Sequence, residues 1–180
     1  MSWAWPPTDE AKRAHLLALF FARHHEIFVE CGTHIGGTVQ FFQEYAKAIA
    51  SVEINPETHA KLLEAQRAGL IRNEAWLVCG DGTEWIPRLA RQSPTPPLVW
   101  LDGHHSGGDT GRGVEDEPAL TILRKLGEVA APGTTIAVDD LRLFGSLAGW
   151  PTLDKLVGAA QLAFPRARIY CAVDALVVEA

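Results

Sequence analysis

Glu26-Ile27-Phe28-Val29-Glu30-Cys31-Gly32-Thr33-His34-Ile35-Gly36-Gly37-Thr38 is an apolar run that breaks into a glycine-bearing turn and then a helical pattern. A short continuous apolar run before such a turn predicts a buried strand handing over to a helix. The same alternation continues downstream. Strands are predicted at Ile49 to Ile54, Trp76 to Cys79, Leu98 to Leu101 and Thr134 to Val138, with helices from about Thr38, from about Pro56 and over Pro118 to Ala130. Strict alternation of strand and helix implies a parallel sheet covered on both faces. The chain ends differently: Ala167 to Ala172 and Ala175 to Glu179 are two β runs separated by a couple of residues around Asp174. Parallel neighbours need a crossover of about a dozen residues, so these two must form an antiparallel hairpin. The expectation is an α/β, Rossmann-like, doubly wound sheet of seven strands, parallel except for the C-terminal hairpin.

Upstream, Thr8 follows Pro6 and Pro7 as an N-cap, with Asp9 and Glu10 in the first helical turn, where carboxylates complement the positive end of a helix. That helix should run to about Arg23 and lay Ala14, Leu17, Ala18 and Phe21 on the sheet, since they recur at helical spacing.

The chain has 180 residues, 47% hydrophobic and 21% charged, with a net charge of −6, which is one globular domain. The acidic balance argues against a nucleic-acid binder, which needs a basic stripe. No leader pattern and no apolar run long enough for a membrane span is present, so a cytoplasmic location is expected. Cys31, Cys79 and Cys171 have no paired spacing and are expected to be reduced, buried thiols.

In an open parallel sheet, ligands bind outside the carboxyl ends of the strands. At the first end, a dinucleotide fingerprint would require glycine where His34 stands, which disfavours a nicotinamide-dependent oxidoreductase. Glu30 there would repel a pyrophosphate and attract a cation. Glu53, ending the second strand, follows Gly32 by 21 residues, the spacing at which a carboxylate holds a ribose diol. Asp81, after the third strand, either caps the next helix or accepts from an adenine amino group. Asp102, Gly103, His104 and His105 follow the fourth strand. Asp139 and Asp140 follow the fifth, and two adjacent acids there would be costly without a cation. Asp109, Glu115, Asp116 and Glu117 read as a solvated loop and helix N-terminus.

The ordered set E-x-G-x-x-x-G-G-T (Glu30 to Thr38), Glu53, Gly80-Asp81 and Asp102-Gly103 resembles the class I S-adenosylmethionine-dependent methyltransferases, over nearly the whole chain. The terminal hairpin is similar to theirs. The resemblance implies one methyltransferase-like domain over residues 1–180, with 1–25 as a helical extension. It implies that Glu30, Gly32, Thr33, Gly36 and Thr38 shape the pocket for the amino-acid part of the cofactor, with Glu53 on the ribose and Asp81 on the adenine. Asp102 with Asp139 and Asp140 is similar to the metal-binding acids of macrocin-type and catechol-type O-methyltransferases, so Mg²⁺ is an expected helper. The stretch Asp102 to Gly113 resembles a loop of bacterial methyltransferase-like proteins. Asp102, His104 and His105 are the candidate catalytic residues, with the histidines as bases, ligands or loop-packing residues. The expected partners are a small or sugar-like acceptor and a second copy of the chain. The alternative is a non-catalytic protein of the same fold, binding a partner through Trp3, Trp5 and the loop over residues 103–117.

Overall fold

The computed structural model describes residues 6–105 and 111–180; Trp3, Trp5 and residues 106–110 of the long loop lie outside them. The strands are β1 (Ile27–Cys31), β2 (Ala48–Glu53), β3 (Trp76–Cys79), β4 (Leu98–Leu101), β5 (Thr135–Val138), β6 (Arg168–Ala172) and β7 (Ala175–Glu179). The helices are α1 (Asp9–Ala22), α2 (Gly37–Phe42), α3 (Pro56–Arg67), α4 (Gly82–Gln92), α5 (Ala119–Val129) and α6 (Leu153–Ala163), with a 3₁₀ turn at Leu141–Leu143. The sheet order is β3-β2-β1-β4-β5-β7-β6. All pairings among β1 to β5 are parallel, and β7 enters antiparallel between β5 and β6. The hairpin turns on Val173 and Asp174, both left-handed with φ of 49° and 59°, as a two-residue turn matched to strand twist requires.

Side chains alternate across the sheet and bury on both sides. Val29, Val52, Val99, Leu101 and Ile136 pack under α4, α5 and α6 with Ile86, Ile122, Leu126 and Leu156. Phe28, Ile49, Leu98 and Trp100 pack under α1, α2 and α3 with Leu16, Phe20, Phe42 and Leu62. The Phe28 and Phe42 rings stack 3.9 Å apart at 3°.

Thr8 caps α1, its Oγ1 accepting from Ala11 N–H at 3.2 Å. The buried face of that helix differs from the expected one. Leu16, Leu19 and Phe20 are inside, whereas Phe21 is 56% exposed. Both stripes have helical spacing, and the larger apolar volume of Leu16, Leu19 and Phe20 takes the core. Cys31 is buried as expected, but Cys79 and Cys171 are exposed, because they sit on the two edge strands. Glu117 is also buried rather than solvated, with Oε1 accepting from Ala119 N–H at 2.9 Å at the start of α5. Among the described residues, no helix is long and apolar enough to cross a membrane.

Candidate active site

The chain winds in opposite directions from β1 and β4, and a cleft of about 420 Å³ opens at their carboxyl ends, within the usual range for small-molecule sites. Gly32 makes this possible. Its φ is +93°, and a Cβ there would lie 2.2 Å from the backbone oxygen of Asp102. Below it, the Cys31 thiol fills the gap between Gly82 and Gly103, where a Cβ would come within 2.3 and 2.4 Å of the sulfur. Three strand ends therefore converge on one floor.

Glu53 closes one wall. Its Oε2 accepts from His34 N–H and its Oε1 from Asn55 N–H, each at 2.8 Å. A carboxylate has about four acceptor positions, so two remain for a vicinal diol. Ile54, next in the chain, forms an apolar wall against which Gly111 and Gly113 pack so closely that a Cβ on Gly111 would lie 2.3 Å from Ile54 Cγ2. Asp81 caps α4, with Oδ1 accepting from Thr83 N–H at 2.7 Å. It also lines the cleft, so Oδ2 remains as an acceptor; the capping and ligand readings of this residue are compatible.

Glu53, Asp81, Glu84, Asp102 and Glu115 all line the cleft, and no Lys or Arg does among the described residues. These acids would repel a pyrophosphate, whereas a ligand with a sulfonium and an ammonium would be attracted.

Four residues expected to shape the cofactor pocket stand elsewhere. Glu30, Thr33, Gly36 and Thr38 do not line the cleft. Glu30 shares the sheet face of Phe28 and pairs with Ser51 across β1 and β2, accepting from Ser51 Oγ at 2.6 Å. Thr33 Oγ1 completes the chain with Ser51 Oγ at 2.7 Å. Burial pushes the Glu30 carboxyl up to about 8 against the hydrogen bonds of Ser51 and Thr38. It is a neutral polar pin between strands and α2.

At the β4 and β5 ends, His104 lies between two acids. Nδ1 is 3.6 Å from Asp102 Oδ1 and Nε2 is 3.5 Å from Asp140 Oδ2, with the ring edge-on to Trp150 at 4.9 Å. Burial lowers its pKa, opposed by Asp140 and assisted by Lys12 and Arg142. Asp102 is raised well above the carboxylate range by desolvation at the cleft floor and then by the charges of Asp139 and Asp140. His105 is turned into the loop, its Nδ1 3.2 Å from Gly111 O and its N–H donating to Asp116 O at 2.8 Å.

Asp139 and Asp140 do have a cation, and it belongs to the chain. Lys12 Nζ donates to Asp139 Oδ2 and Asp140 Oδ1, both at 2.7 Å. Arg142 Nη1 donates to Asp140 Oδ1 at 2.6 Å and also bonds Asp174 Oδ2. Burial would raise Asp140, but the hydrogen bonds from Lys12 and Arg142 hold it below its ordinary value. Asp139 is raised to about 6 by burial and the Asp140 charge, which Lys12 only partly offsets. A Mg²⁺ ion does not fit these residues as arranged: Lys12 holds Asp139 Oδ2 and, with Arg142, Asp140 Oδ1, Asp139 Oδ1 accepts from Asp140 N–H, and no group of three or more His, Cys, Asp or Glu among the described residues is placed to hold a metal.

Lys12, Arg142, Asp174 and Ile54 escaped the sequence reading. Lys12 carries a signal in retrospect, one turn before Leu16 on the true buried stripe. Arg142 and Asp174 carry none.

No protein-family model and no curated protein matches the sequence. Solved structures do. An O-methyltransferase from Bacillus cereus in complex with SAH is 13% identical with a TM-score of 0.66, covering 98% of this chain and 84% of its own. The O-methyltransferase TomG from Streptomyces achromogenes, in complex with SAM, is 13% identical with a TM-score of 0.63, covering 96% and 80%. An SAH-bound methyltransferase from Podospora anserina is 12% identical with a TM-score of 0.64, covering 97% and 80%. With the sheet order and the inserted antiparallel strand, these likenesses establish that the chain has the class I methyltransferase fold.

Proposed function

We propose that the protein is an S-adenosylmethionine-dependent methyltransferase acting on an oxygen of a small or sugar-like acceptor. The observation that carries this reading is the cleft at the β1/β4 switch point, lined by five acids and no Lys or Arg among the described residues. The cofactor supplies, when bound, a methyl group activated by a sulfonium. In this reading Glu53 accepts from the ribose hydroxyls, Asp81 Oδ2 from the adenine amino group, and Ile54 covers the planar base; all three line the cleft. His104, held neutral by burial, takes the acceptor proton as the oxygen–carbon bond forms and the sulfur–carbon bond breaks. In-line alignment is the other requirement. Isothermal titration of the folded protein with SAH is the test. Binding in the micromolar range, with none for NAD, is expected; no binding at millimolar SAH would overturn the reading.

A further inference from the structure

The acids at the end of β5 raise a question that the fold answers without a metal ion. Asp139 and Asp140 keep 3% and 10% of their side-chain surface, and burying two adjacent carboxylates without a counter-charge is strongly unfavourable. The counter-charge comes from the far end of the chain, on the first helix. Lys12 Nζ stands 2.7 Å from one oxygen of each acid. Its third N–H has no partner among the described residues, and its side chain retains 15% exposure, so it is neither sealed in the core nor loose on the surface. His104 joins this pair to the cleft, contacting Asp140 on one side and Asp102 on the other. Arg142 and Asp174 brace Asp140 from the hairpin side.

We propose that Lys12 is the resident cation of this corner: its ammonium occupies the place between Asp139 and Asp140 in which a divalent ion would sit, and so excludes that ion. Ammonium and metal compete for the same carboxylate oxygens, and a hard divalent ion needs several such oxygens at once. While Lys12 holds one from each acid, too few remain. Resting on the methyltransferase reading, the consequence is that proton removal from the acceptor falls to His104, which joins this corner to the cleft, with no metal beside it.

Titration of the full chain with Mn²⁺, read by electron paramagnetic resonance and by thermal shift, tests this without any acceptor. Wild type should bind no Mn²⁺ up to about 1 mM, and Lys12→Met should bind it at least about tenfold more tightly, because Asp139 loses its cation and Asp140 keeps only Arg142. Lys12→Arg, which keeps a cation, should stay closed to the metal. If Lys12→Met is too unstable to fold alone, recovery of its fold by Mn²⁺ supports the proposal equally. Micromolar Mn²⁺ binding to wild type that Asp139→Asn abolishes would overturn it, as would a folded Lys12→Met variant that binds no better than wild type. SAH titration is independent of all these outcomes, so failure of the functional reading is recognised separately.

Discussion

The Glu53 carboxylate accepts the backbone N–H of His34 at 2.8 Å, tying the glycine turn after β1 to the end of β2. The same carboxylate accepts from Asn55 N–H, which caps α3 through its own side chain. One acid thus orders two turns while facing the cleft.

Replacing Glu53 by Gln should weaken SAH binding by roughly 10–100-fold, because hydrogen bonds to a charged acceptor contribute about 1.5–3 kcal/mol. Isothermal titration measures this directly. Since an amide oxygen can still accept only part of the present bonds, a small loss of melting temperature should accompany it.

Gly32→Ala should do more harm to both fold and binding. Its φ of +93° is unfavourable for any side chain, and the new Cβ would lie 2.2 Å from Asp102 O. Strain of this kind costs about 1–3 kcal/mol before the clash is counted. Urea denaturation should show the loss in stability, and SAH binding should fall with it as β1 and β4 part at the cleft.

Glu30→Gln should raise stability at alkaline pH. Burial holds the Glu30 carboxyl near 8, above its ordinary value of 4.5, so the folded state keeps a proton that the unfolded state has lost. Stability therefore falls as pH rises from 4.5 to about 8 and stays reduced above it. The variant's advantage over wild type should vanish near pH 4.5 and reach a few kcal/mol above pH 8. Melting curves across pH 5–9 (a range of about four units) decide it; a constant difference would disprove the burial account.

On the proposed reaction, His104→Asn should lower methyl transfer by about 10²–10⁴, the usual contribution of a general base. Because burial lowers the His104 pKa from 6.5, the acidic limb of the wild-type pH–rate profile should lie below that value, with a plateau at neutral pH. Steady-state rates over a pH series would show whether the limb disappears in the variant.

Local pattern carried the sheet a long way. β3, β4 and β7 begin and end where the apolar runs do; β4 and β7 are buried inside the sheet, where a strand covered on both faces must be apolar along its length, and β3 keeps the same apolar pattern at the edge. The hairpin was legible from the impossibility of a two-residue parallel crossover. Glu53 was legible because its spacing from Gly32 follows from the length of one strand–helix–strand unit. The sequence shows Glu30 as a strand-end acid, but its carboxyl is buried within the sheet and not on the ligand side. Its direction depends on strand alternation and on Ser51 standing opposite it in β2, a register no single segment contains.

The α1 helix shows the same limit. Two stripes satisfy its period, and only packing against Phe28 and Phe42 selects the one with Leu16, Leu19 and Phe20, thereby turning Lys12 toward Asp139. Apolar periodicity, turn chemistry and chain length are properties of neighbouring residues, so fold class, strand order at the hairpin and the acids at the strand ends follow from them. The ion pair between Lys12 and Asp139 joins positions 127 residues apart. Its partners are chosen by which faces meet when the whole sheet is covered, and that is decided by tertiary packing alone.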